Sequence, residues 1–341
     1  MEWIESLSSG QVSVLIGIIT GLVFGVFAQQ SRFCLRAACV EFWRGQPAGK
    51  FAIWLLAFSC ALLATQTAMH LGYLEAGSIR QLVTTGSLSG AIIGGSLFGV
   101  GMVLARGCAS RLLILSATGN LRALVAGLVV TLVSQATLRG GLSPAREWLG
   151  SGWLVGPESR NLAEHLPTLA PAALAIGLLM IGLWLGLRHQ VPRYFMFGAA
   201  MVGGSVAMGW VLTAWHASWS FDIVSVKSVS FTGPSADTLM GLINMPSVPP
   251  SFDVGIVMGV FAGSLCASLL TGQFQWQSFT ESTGLSRYLV GAVLMGFGGM
   301  LAGGCAVGAG VTGGAVMAMT AWIALLFMWL AAGLTDRLID R

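Results

Sequence analysis

The chain has 341 residues, of which 55% are hydrophobic and only 9% charged, with a formal net charge of +4 and a mean hydropathy of +0.81. Soluble domains carry about 25% charged residues, so this composition excludes a water-soluble enzyme or binding domain and predicts an all-α polytopic membrane protein. The small positive charge is what topology signals in loops produce, and it predicts no nucleic-acid partner.

Taken in order, the first apolar run is 11–28. It is preceded by Glu2 and Glu5 without any Lys or Arg and has no small-residue cleavage pattern, so it is expected to be a retained span rather than a signal peptide. The stretch QQSRFCLRAACVEFWRG, 29–45, follows and carries Cys34. Spans are predicted at 50–71 and 84–105, then a short piece ASRLLILSATGN after Cys108, then a span at 121–138. A hydrophilic outer loop is expected at 139–168, spans at 169–187 and 194–215, and a second outer loop, able to dip inward, at 216–252. Further spans are predicted at 253–271 and 286–303, then the short piece AVGAGVTGG after Cys305, and a last span at 317–334. The short pieces cannot cross a bilayer, and irregular backbone at membrane depth needs protein or a water-lined cavity to satisfy it. The three pieces are therefore expected to be re-entrant helices beside about nine transmembrane helices, all within one membrane domain, 1–341.

Arg32, Arg36, Arg44, Lys50, Arg106, Arg111, Arg122, Arg188, Arg193, Arg287, Arg337 and Arg341 fall on one side of this topology. Arg80, Arg139, Arg146, Arg160 and Lys227 fall on the other. The excess of cations on the first side predicts an outside N-terminus and an inside C-terminus.

Two stretches nearly repeat each other: GGSLFGVGMVLARGCA at 94–109 and GAVLMGFGGMLAGGCA at 291–306 agree at nine of sixteen positions and end on Cys108 and Cys305. Four spans lie in 11–138 and four in 194–334, with 169–187 as an odd linking helix that turns the second unit over. The expected architecture is a 4+1+4 inverted repeat, whose substrate site lies where the repeats meet. Gly17, Gly21 and Gly25, and again Gly255, Gly259 and Gly263, have the spacing of close helix–helix contact.

Of the six cysteines, Cys60 and Cys266 fall inside spans and are expected to act as small buried hydrophobes, as is Cys39. Cys34, Cys108 and Cys305 each sit at a break between a span and a short element. There the first turn of a half-helix presents unpaired N–H groups to an anion. Gly107 and Gly304, immediately before two of these cysteines, permit close approach to the backbone. A neutral thiol adds a weak, soft donor, whereas a thiolate would repel an anion, so passage requires protonated thiols. Arg32, Arg36 and Arg111 either face the thiols or draw anions toward the inner mouth. Asp222, Lys227, Asp237 and Asp253 are expected to be solvated loop charges, and no Asp, Glu or His sits clearly inside a span as a proton relay. No Walker, H-E-x-x-H, G-x-S-x-G or C-x-x-C pattern occurs and the four histidines are scattered, so neither enzyme chemistry, a metal nor another cofactor is expected.

The QSRFC segment at 30–34, the two L-A-x-G-C segments at Cys108 and Cys305, and the glycine-rich repeat together resemble the YeeE/YedE membrane family over essentially the whole chain. The resemblance implies a bacterial inner-membrane uptake protein for thiosulfate, in which Cys34, Cys108 and Cys305 line the path and pass the ion by S–H···S contacts. It also implies membrane lipid as surroundings and a small cytosolic sulfur-carrier protein as a partner. Two other readings fit part of the pattern: a transporter of another sulfur or selenium species, and a membrane thiol–disulfide oxidoreductase, which the missing C-x-x-C pair disfavours.

Overall fold

The computed structural model describes residues 8–46, 48–244, 246, 248–277 and 284–339. Glu2, Glu5 and Arg341, used above for topology, lie outside the described residues. Among those described, nine helical stretches are long and apolar enough to cross a membrane, and the chain is an all-α polytopic membrane protein.

The long helices begin where the sequence supplies a cap. Helix α1 (Ser9–Gln30) opens on a capping box formed by Ser8 and Gln11, and a short α2 (Leu35–Trp43) follows it. After α3 (Gly49–His70), α4 (Leu88–Leu104) starts four residues later than expected. Ser87 caps it, while 80–83 forms a separate helical turn and Gly86–Ser87 pair in antiparallel fashion with Leu154–Val155. Then come a short α5 (Ala109–Ala117), α6 (Leu121–Arg139) capped by Asn120, and α7 (Ser143–Gly150) within the predicted 139–168 loop. Helices α8 (Ala170–Arg188) and α9 (Arg193–Trp219) each start beside a proline, where the missing N–H costs nothing. The expected loop at 216–252 contains a further helix, α10 (Thr232–Asn244), with Pro234 in its first turn. Helix α11 (Phe252–Leu270), α12 (Leu285–Leu301), a π-helix (Ala306–Thr312) and α13 (Met319–Ile339) complete the chain.

Packing joins distant parts of the sequence. Helix α1 lies along α11, α9 along α3, α4 along both α12 and α13, and α12 also along α6. The two glycine triplets face each other: a methyl at Gly21 would fall 2.6 Å from the Ile256 carbonyl oxygen, and one at Gly259 would fall 2.5 Å from that of Ile18. Helix α2 is fixed at one end of the bundle. Trp43 Nε1 donates to the Trp329 carbonyl at 3.0 Å, and Arg44 makes two bonds of 2.8 Å to the buried carboxylate of Asp336. Helix α13 runs past the predicted end of its span because that pairing removes the cost of an isolated buried carboxylate. Helix α9 likewise extends to include His216, buried between Ser9 and Ser13 with hydroxyls at 3.4 and 3.2 Å. An Asp and a His thus lie inside long helices after all, each held by a partner.

Candidate functional site

Cys34, Cys108 and Cys305 each follow a long helix and open the next element, and the three breaks share one backbone course. Two residues before each cysteine φ is positive, 54° at Arg32, 53° at Arg106 and 83° at Gly303. The residue just before the cysteine then donates its amide to a carbonyl five positions back: Phe33 to Ala28 at 3.1 Å, Gly107 to Met102 at 3.0 Å and Gly304 to Gly299 at 2.7 Å. This is a Schellman closure. It turns the chain so that the cysteine, in extended conformation, stands at the N-cap of α2, α5 or the π-helix. Glycine takes the left-handed region freely, but a side chain there costs about 1–2 kcal/mol. Arg32 and Arg106 hold their positions at that backbone cost, the kind of local strain that functional sites retain.

The side chains of Cys34 and Cys108 lie near enough to interact, and Cys108 Sγ is 3.2 Å from Ser110 Oγ. Neither thiol caps its own helix, so the opening amides of α2 and α5 keep their capacity for an anion. Cys305 differs, because its Sγ accepts the Gly308 amide at 3.4 Å. The π-helix it opens is buried throughout and touches α5, while Thr312 Oγ1 ties it to the Val229 carbonyl at 2.6 Å. Such wide turns are uncommon and occur most often at functional sites. The two glycines contribute differently. A methyl at Gly304 would meet the Ala309 nitrogen at 2.7 Å, whereas one at Gly107 meets nothing nearer than 3.5 Å, so only Gly304 is demanded by packing.

Basic cavities lie at the two ends of the bundle. One, of about 550 Å³, is lined by Cys34 together with Arg32, Arg36, Lys50, Arg106 and Arg111. Arg111 is turned toward the thiol pair. Its Nη1 reaches Gln29 Oε1 at 3.4 Å, and it lies within electrostatic range of both Cys34 and Cys108, while Arg32 and Arg106 stay exposed at the mouth. Glu41, in the same cavity, is engaged by the amides of Ala48, Lys50 and Phe51. The opposite cavity, of about 470 Å³, is lined by Arg80, Arg160 and Lys227, by the hydroxyls of Ser228, Ser230 and Thr232, and by Gly303 and Gly304 beside Cys305. Arg160 is held there by the Thr84 carbonyl at 2.7 Å and the Thr320 hydroxyl at 3.2 Å. Burial, and then the like charge of Arg80, push its guanidinium below the ordinary value, a cost that an arriving anion relieves. Lys227 pairs with Asp253 at 2.5 Å and Arg139 with Asp237 at 3.7 Å; these groups line or flank the cavity, whereas Asp222 is exposed. Between the cavities the rings of Phe33 and Phe231 both pack on Phe24, with centroids 6.3 and 5.2 Å away.

The remaining cysteines stand apart from this arrangement. Cys39 is buried and Cys60 half-buried, but Cys266 is exposed on α11, contrary to its expected burial. Arg160, Ser230 and Thr232 lie in the two predicted outer loops, 139–168 and 216–252, where no spacing marks them as a site.

The chain matches the family described as sulphur transport over residues 30–334. It is 28% identical to the thiosulfate transporter TsuA of Escherichia coli, over 92% of this chain and 91% of that protein. It is 27% identical to the thiosulfate transporter TsuA of Spirochaeta thermophila, over 91% of this chain and 94% of that protein.

Proposed function

We propose that this chain, which belongs to the sulphur transport family, imports thiosulfate across the bacterial inner membrane through a path lined by neutral thiols. The family and both relatives are transporters, so a transporter of a sulfur compound is the firm part of this reading. The observation that supports the finer part is the shared backbone course of the three breaks, with Cys34 lining the Arg111 cavity and Gly304, next to the buried Cys305, lining the Arg160 cavity. Thiosulfate has a terminal sulfur able to accept a thiol hydrogen bond, while sulfate has only strongly hydrated oxygens. A row of weak donors binds the ion enough to admit it and loosely enough to release it.

In this reading the Arg160 cavity opens outside and the Arg111 cavity inside, which follows from the excess of loop cations on the Arg111 side. Arg32, Arg36 and Arg111 compensate the ion's charge near the inner exit, where a small cytosolic sulfur-carrier protein would receive it. We take 11–138 and 194–334 as inverted repeats with 169–187 linking them. Exchanging the two units maps the α1–α11 contact onto α9–α3 and the α4–α13 contact onto α12–α6, which supports the arrangement.

Uptake of radiolabelled thiosulfate by proteoliposomes tests the substrate. Saturable uptake is expected, suppressed by unlabelled thiosulfate and insensitive to equal sulfate. Suppression by selenite or sulfite more strongly than by thiosulfate would assign the protein to another substrate.

A further inference from the structure

We propose that Thr232 is a fourth substrate-contacting residue, whose hydroxyl donates to an oxygen of the ion at the opening of α10. This rests on the thiosulfate reading above and deepens it, because it gives the path one hard donor beside three soft ones.

Thr232 is 1% exposed, it lines the Arg160 cavity, and its Oγ1 has no hydrogen-bond partner among the described residues. A buried hydroxyl left in that state is costly. Threonines elsewhere in the chain avoid the cost by donating to the carbonyl four residues back, as Thr131, Thr137, Thr238 and Thr335 do. Thr232 is the first residue of its helix, so no preceding turn offers that carbonyl. Thr20 and Thr65 also lack partners among the described residues, but neither lines either of the cation-bearing cavities.

The surroundings of Thr232 suit an anion. The first turn of α10 leaves the amides of Thr232 and Gly233 without helical acceptors, and Pro234 has no N–H to add. Gly233 lines the same cavity, and a methyl on it would meet nothing within 4 Å, so the backbone there is open to a ligand. Arg80 and Arg160 supply positive charge from the cavity wall, Lys227 being paired with Asp253, and Gly304 brings the neighbourhood of Cys305 to the same space.

Thr232 also lies beside the thiols' aromatic neighbours: Phe33, just before Cys34, and Phe231, just before Thr232, both pack on Phe24. Thiosulfate has two chemically distinct ends. A hydroxyl bonds an oxygen better than a thiol does, so Thr232 takes the oxygen end while the terminal sulfur points toward Cys305. Thr232 thereby orients the ion before it meets the thiols.

The test is the KM for thiosulfate in proteoliposomes containing the full chain. Removing a hydrogen bond to a charged group predicts a rise of about tenfold for both Thr232→Val and Thr232→Ala, with Thr232→Ser within about twofold of the parent. The Ala variant carries the result if Val fails to fold. An unchanged KM in the variants lacking a hydroxyl overturns the proposal, and so does a Ser variant as impaired as Val. A parent protein that takes up no thiosulfate at all would instead overturn the substrate reading, and this assignment with it.

Discussion

Cys108→Ala and Cys305→Ala each lower thiosulfate uptake by about 10- to 100-fold, the range expected when a hydrogen bond to a charged group is lost in a water-poor site. Both residues are only 1% exposed, and each stands at the N-cap of a short element between the two basic cavities. Cys34→Ala falls in the same range, but Cys34 and Cys108 are direct neighbours, so the double variant loses less than the product of the single losses. Cys266→Ala and Cys60→Ala leave uptake unchanged, because both residues lie within long helices and away from the three breaks. A serine at 108 restores a donor of similar size but not its softness, and recovers only part of the rate. Initial rates in proteoliposomes, normalised to folded protein, check all of these. Uptake at the parental rate in both Cys108→Ala and Cys305→Ala would remove the thiols from the mechanism.

Gly21→Val acts on folding instead. The added side chain would press on main-chain atoms of α11: the Ile256 carbonyl oxygen at 2.6 Å and the Gly259 Cα at 3.0 Å. Backbone cannot rotate aside as a flexible side chain can, so the two helices must separate along the α1–α11 contact. Overpacking of this kind costs about 3 kcal/mol or more. Small residues are what let helices approach in an apolar solvent, where no hydrophobic drive compensates for a gap. A lower Tm in detergent and a reduced monodisperse fraction are expected. Gly177→Val is the control, since a side chain there meets nothing within 4 Å. Equal stability of the two variants would show that the glycine seam is not what joins α1 to α11.

These two results draw on features of different legibility. The span positions could be read from hydropathy to within a few residues, because a membrane helix must be apolar over its whole length. The errors occurred where charge was paired or backbone was capped. Asp336 and His216 extend α13 and α9 because each has a partner distant in sequence, which a hydropathy window cannot see. Helix α10 was missed because its Ser, Thr, Gly and Pro content averages to a loop, although Pro234 near its start is a helix-opening signal. The three cysteines stood out because two of them end a repeated segment. Their common Schellman turn did not, since arginine rather than glycine occupies two of the three left-handed positions. The adjacency of Cys34 and Cys108, and the hold of Thr84 and Thr320 on Arg160, are products of tertiary packing with no spacing to announce them.

The central claim, that the three thiols line one path for the ion, is tested most directly by thiol modification under substrate protection. The protein carries Cys39→Ala, Cys60→Ala and Cys266→Ala, leaving only Cys34, Cys108 and Cys305. A small anionic methanethiosulfonate reagent is applied with and without thiosulfate, and each modified cysteine is located by mass spectrometry. The account predicts that all three thiols react and that thiosulfate, but not sulfate, slows the reaction at each. Modification that thiosulfate does not slow, at any one of the three, would contradict it.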